Sequence, residues 1–83
     1  MDIPELLRQL LELKYRLDDK YSMNIMITAN NTLRVRFWMS HGDQRACEMP
    51  LTSWSTMSRD FLNDCLGIAR YHNLLDKQGV LEL

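Results

Sequence analysis

Four side chains in this sequence belong to the residue types that attack, shuttle protons or hold soft metals near neutral pH: His41, Cys47, Cys65 and His72. A structural zinc site takes about four such ligands at close, regular spacing. Cys47 and Cys65 form no CxxC motif, and the histidines stand in no finger-like relation to them. No metal is expected. Cysteine–histidine catalysis needs hydrogen-bond contact, yet residues seven apart on a helix, as Cys65 and His72 would be, lie about 10 Å apart along its axis. Cys47 approaching His72 from a strand is an alternative that no spacing enforces. The expectation is two free thiols acting as small buried hydrophobes, with His72 a partly buried, satisfied side chain.

Carboxylates add little to this. Asp18-Asp19 and the Asp60/Asp64 pair read as solvated helix charge, and His41-Gly42-Asp43 reads as a loop. Gly42, Gly67 and Gly79 are isolated, so there is no glycine-rich phosphate loop. The expectation is a non-enzymatic protein without a cofactor.

The most informative stretch is "NTLRVRFWMS", residues 31–40. Leu33, Val35, Phe37 and Met39 alternate with Arg34, Arg36 and Trp38, the period of a half-buried strand. "SMNIMITA" precedes it, with Met23, Ile25, Ile27 and Ala29 on one face and Asn24, Met26 and Thr28 on the other. A third strand follows, with Arg45, Cys47, Met49 and Leu51 alternating with Gln44, Ala46 and Glu48. Two hairpins join them. Three-residue loops at 30–32 and 41–43 would oppose Ile27 to Val35, Phe37 to Cys47, Arg36 to Glu48 and Trp38 to Ala46. Pro50 cannot donate a ladder hydrogen bond, which places the third strand at an edge and gives the order 1-2-3.

Helices flank the strands. "DIPELLRQLLELKYRLDDKY" opens with Asp2 and, three residues on, Glu5, the pattern of a capping box. Leu6, Leu10, Leu13 and Leu17 form one stripe and Ile3, Leu7 and Leu11 a second, an apolar arc roughly 160° wide. That width admits either a helix sunk deeply onto a sheet or a surface where Leu7, Leu11 and Tyr15 meet a partner. The last helix is expected from Ser53 or Ser55 to Gln78, capped by Gly79. Its buried face would carry Trp54, Met57, Phe61, Leu62, Cys65, Ile68, Ala69, His72 and Leu75, opposite Arg59, Asn63, Gly67 and Arg70. Val80–Leu83 either frays or adds a short fourth strand.

The fold class that follows is α+β in two layers: helix, three-stranded antiparallel meander, helix (αβββα), with both helices on one sheet face. At 83 residues the chain holds one domain, 1–83, without room for a second core. Ten basic against eleven acidic residues offer no global attraction to nucleic acid or anionic lipid. No apolar run approaches the roughly 20 residues of a membrane span. The acidic opening "MDIPELLRQLL" is not that of a signal peptide, and a cytoplasmic location is expected.

A sheet covered on one side leaves Arg34, Arg36, Trp38 and Met26 on the other. Exposed Trp beside Arg is the composition of protein-interface hot spots. The same three residues, Arg34, Arg36 and Trp38, form the alternative nucleic-acid surface, although recognised RNA-binding sheets offer two or three stacking aromatics. The αβββα order is also that of double-stranded-RNA-binding domains, which grip phosphates with a basic start to the second helix. Here that region reads "SWSTMSRD", so topology carries no functional weight.

The expected function is a small intracellular protein-binding module, an adaptor, inhibitor or regulator, whose size suggests viral or mobile-element origin. Its surfaces are Arg34, Arg36, Trp38 and Met26 on the sheet and Leu7, Leu11 and Tyr15 on the first helix. The uncharged first strand is an unprotected edge, which makes a homodimer or an assembly subunit the further alternative.

Overall fold

The computed structural model describes residues 1–39, 42–72 and 74. Its elements are α1 (Ile3–Tyr15), β1 (Ser22–Ile27), β2 (Thr32–Trp38), β3 (Gln44–Pro50), a 3₁₀ turn (Leu51–Ser53) and α2 (Trp54–Tyr71). The three strands form one open antiparallel sheet in the order β1-β2-β3. This is the expected α+β arrangement of helix, meander and helix.

α1 begins where an oxygen is available for its unpaired N–H groups: Asp2 Oδ1 accepts from Glu5 N at 2.8 Å. The other half of the expected capping box is replaced. Glu5 turns its carboxylate along the helix instead, taking Arg8 Nη2 at 2.7 Å, Arg8 Nε at 3.0 Å and Gln9 Nε2 at 3.2 Å. The Arg8 fork, and after it the Gln9 amide, lowers the Glu5 carboxyl from 4.5 to about 2. A depressed folded-state pKa gives stability that is present above pH 4.5 and lost as pH falls toward about 2. Glu5 is exposed, so the effect is small and screened by salt. In low-salt melts, Glu5→Gln is expected to flatten the decline of Tm across that window while leaving Tm near pH 7 little changed.

The helix stops at Tyr15, six residues short of the segment expected to be helical. Asp18 is the cause. Its Oδ1 accepts from Lys20 N at 3.0 Å and its carbonyl accepts from Tyr21 N at 3.0 Å. A short polar side chain thus offers the backbone a turn in place of another helical turn.

Both hairpins use the expected three-residue loops, but each is displaced by one residue, and the pairing therefore by two. Ile25 lies opposite Val35 and Met23 opposite Phe37. Val35 lies opposite Cys47, Arg34 opposite Glu48, Arg36 opposite Ala46 and Trp38 opposite Gln44. The expected Arg36–Glu48 and Trp38–Ala46 pairs are thus corrected. In this hairpin type the last loop residue is left-handed. Among the described residues, Asn31 at φ 59° and Gly42 at φ 80° take that conformation, each in the connection before the strand that follows. Thr28 N bonds Thr32 O at 2.9 Å and Met39 N bonds Asp43 O at 2.8 Å across them.

The core lies between the sheet and both helices. Leu6, Leu10 and Leu13 of α1 meet Met23, Leu33, Val35, Phe37 and Met49 of the sheet and Phe61, Leu62, Cys65, Leu66 and Ala69 of α2. On β1 the cover runs out toward the hairpin: Met23 is 3% exposed, but Ile27, on the same face, is 58% exposed.

α2 differs from expectation at both ends. Ser53 stands at its N-cap without a side-chain cap bond, and Tyr71 ends it well before Gln78, with His72 as C-cap. Leu74 N reaches back to Ala69 O at 2.9 Å, the long bond of a Schellman close. Leu74 is buried and its carbonyl accepts from Asp18 N at 2.8 Å, joining the end of α2 to the turn after α1. Leu75, Gly79 and Val80–Leu83 lie outside the described residues. The buried stripe is also rotated: Ser58 and Leu66 are inside, while Trp54 and Met57 are exposed. On that inward side Ser58 Oγ donates to the Met1 carbonyl, just before α1, at 3.1 Å.

Two glycines predict opposite signs for the same substitution. At Gly42 an added Cβ meets no atom within 4 Å but must sit at φ +80°, so Gly42→Ala should destabilise by about 1 kcal/mol. Gly67, exposed inside α2, also leaves open space for a Cβ, so Gly67→Ala should stabilise by about 0.5–1 kcal/mol. Urea midpoints of the two variants check both signs at once.

Candidate functional site

The sheet face away from the helices carries three rows of side chains across the strands. The register sets them as Ser22–Trp38–Gln44, Asn24–Arg36–Ala46 and Met26–Arg34–Glu48. The three residues singled out on β2 therefore do stand together on the central strand, Trp38 and Arg36 between short or polar neighbours and Arg34 between Met26 and Glu48.

Their electrostatics divide them. Arg34 donates from Nε to Glu48 Oε1 at 2.7 Å, so its charge is largely balanced. Arg36 lies between Asn24 and Ala46 on the neighbouring strands, and its guanidinium lies 5.6 Å from the centre of the Trp38 ring. A cation over an indole face at that distance is attracted by the ring quadrupole. Met26 adds a flexible apolar side chain at the end of the patch, 40% exposed.

The second surface is less uniform. Leu11 is 54% exposed and Tyr15 92% exposed, and they line a shallow groove with Arg8, Glu12 and Arg16. Leu7, one turn earlier, instead packs against the core as a half-buried side chain. Sequence reasoning missed four further exposed apolar residues: Ile27, Trp54, Met57 and Tyr71. Ile27, Trp54 and Met57 were placed on buried faces because periodicity reports a direction around an element, and cannot report where the opposing layer ends.

The chemistry-bearing side chains group differently from the expected pairs. The ring of His72 sits edge-on to Tyr71, with centroids 4.8 Å apart. His41 lies outside the described residues. Cys65 is fully buried on α2, and Cys47 is half-buried on β3. Among the described residues no group of three or more His, Cys, Asp or Glu side chains is placed to hold a metal ion. No described helix is long and apolar enough to cross a membrane. Comparison with known proteins found no family model, no curated protein and no solved structure that matches this chain.

Proposed function

We propose that this chain is a non-enzymatic protein-binding module, an intracellular adaptor, inhibitor or regulator, that docks its partner on the open sheet face. The observation that carries the reading is the Arg36–Trp38 stack on a face that the helices leave uncovered. Tryptophan and arginine are among the residues that carry most of the binding energy at the centre of protein interfaces. With Arg34 already bonded to Glu48, the face offers little free positive charge for a phosphate backbone. Exposed Leu11 and Tyr15 on α1 supply a second contact area.

Pull-down of the tagged chain from host lysate, with and without nuclease, is compared with Trp38→Ala and Leu11→Ala, and any captured partner is then titrated in purified form. A purified partner that binds wild type, and binds Trp38→Ala at least about tenfold more weakly, supports the reading. Capture that disappears with nuclease, and affinity falling steeply with salt, would transfer the face to nucleic acid. Self-association broken by a charge at Leu11 but not by Trp38→Ala would make the chain an assembly subunit instead.

A further inference from the structure

β1 and β3 are the outer strands of the sheet, and their free edges differ. Thr28 N bonds Thr32 O at 2.9 Å, which sets the alternation of the β1–β2 ladder. Counting back by twos from Thr28, Met26, Asn24 and Ser22 turn their backbone groups toward β2. Met23, Ile25 and Ile27 turn theirs outward, where no described strand receives them. On β3 the bond from Met39 N to Asp43 O sets the same count and leaves Pro50 in the outward row. Pro50 has no N–H to offer there. β1, by contrast, has neither proline nor charge between Ser22 and Ile27, so nothing blunts its edge.

Two side-chain observations indicate what fits this edge. On the helix side, cover thins along β1 until Ile27 is 58% exposed. On the open side, the three rows hold two arginines and one carboxylate, and Glu48 is taken by Arg34. Among the described residues no carboxylate pairs with Arg36. The short side chains of Ser22 and Asn24 separate it and Trp38 from the edge.

We propose that β1 docks an extended, acidic segment of a partner protein as an added strand, whose backbone pairs with Met23, Ile25 and Ile27. Alternate residues of that segment are apolar and lie beside Ile25 and Ile27 on the helix side. The residues between them face the open side, where a glutamate crosses Ser22 or Asn24 to meet Arg36. The added strand would lie about 10 Å from β2, two strand spacings, a gap that a glutamate and an arginine span together. Strand addition takes its affinity from main-chain bonds and its specificity from alternate side chains. The inference rests on the protein-binding role proposed above, and adds the mode of docking and the chemistry of the partner.

In the test, the full chain is titrated with a short synthetic peptide that alternates valine with glutamate, and binding is followed by NMR and amide hydrogen exchange. The amides of Met23, Ile25 and Ile27 are expected to gain protection. Those of Asn24 and Met26, already turned to β2, should change little. Of two peptides methylated on alternate backbone nitrogens, one should lose binding and the other keep it, although both retain every side chain. Lysine in place of glutamate in the peptide, or Arg36→Gln in the protein, should weaken binding at least about threefold. Binding that leaves the edge amides unprotected would overturn the inference, while the binding role, read by Trp38→Ala on a captured partner, would stand. Equal binding of the lysine peptide, or no binding of either, would overturn it as well. So would protection of these amides in the free chain. Protection independent of concentration would assign the edge to another segment of the same chain, and protection rising with concentration to a second copy.

Discussion

Phe37→Ala is expected to remove a large share of the stability of the fold, whereas Trp38→Ala, one residue along, is expected to leave it nearly intact. Phe37 is 0% exposed at the centre of β2, beneath both helices and between Met23 and Arg45 on the neighbouring strands. Truncating a buried phenylalanine removes its transfer free energy and leaves a cavity, about 3–5 kcal/mol together. A domain of this size has roughly 5–10 kcal/mol to lose, and the melting temperature should fall by about 15 °C or more. Trp38 points to the opposite face, and its loss removes mainly the contact with Arg36, about 0.5–1 kcal/mol. Thermal melts and urea titrations of the two variants measure the difference. If they proved equally stable, either the assignment of β2 faces or the uncovered state of the Trp38 face would be wrong.

The next largest contrast is on α1. Leu10→Ala should cost about 2–5 kcal/mol, while Leu11→Ala should stay within about 0.5 kcal/mol of wild type. Leu10 is 0% exposed between the sheet and α2, and Leu11 is 54% exposed on the far side of the stripe. The same pair separates folding from association, because a variant such as Leu11→Glu adds a charge at a wet position and spares the core. A large loss of stability in Leu11→Ala, measured at low protein concentration where association is negligible, would show that α1 is sunk more deeply than its exposure indicates. A concentration-dependent loss would locate a self-association surface there.

The elements themselves were legible. Asp2 marked the start of α1, the alternation in "NTLRVRF" marked β2, and Pro50 marked β3 as an edge. The candidate surface was legible for the same reason, since an alternating strand states which side chains share a face. Register was harder. A one-residue slip turns every side chain over and is excluded by the apolar pattern, but a two-residue slip preserves every face and leaves that pattern unchanged. Only the demand for a left-handed residue at the end of each loop separates the two, and Asn31 and Gly42 carried that signal. Two residues of register then decide which arginine meets Glu48 and which lies over Trp38.

Other features belonged to the tertiary structure alone. The sequence by itself determined the kinds of element, their order and the two faces of each strand, because these follow from local sterics and from a period of two or 3.6 residues. The assembled layers decided which stripe of α2 is buried, with Ser58 and Leu66 inside, and how far cover extends over Ile27, Trp54 and Met57. They also decided that Cys65 is fully buried while Cys47, on β3, stays half-buried. These are contacts between distant segments, and a periodic pattern holds no information about the position of a surface from another part of the chain.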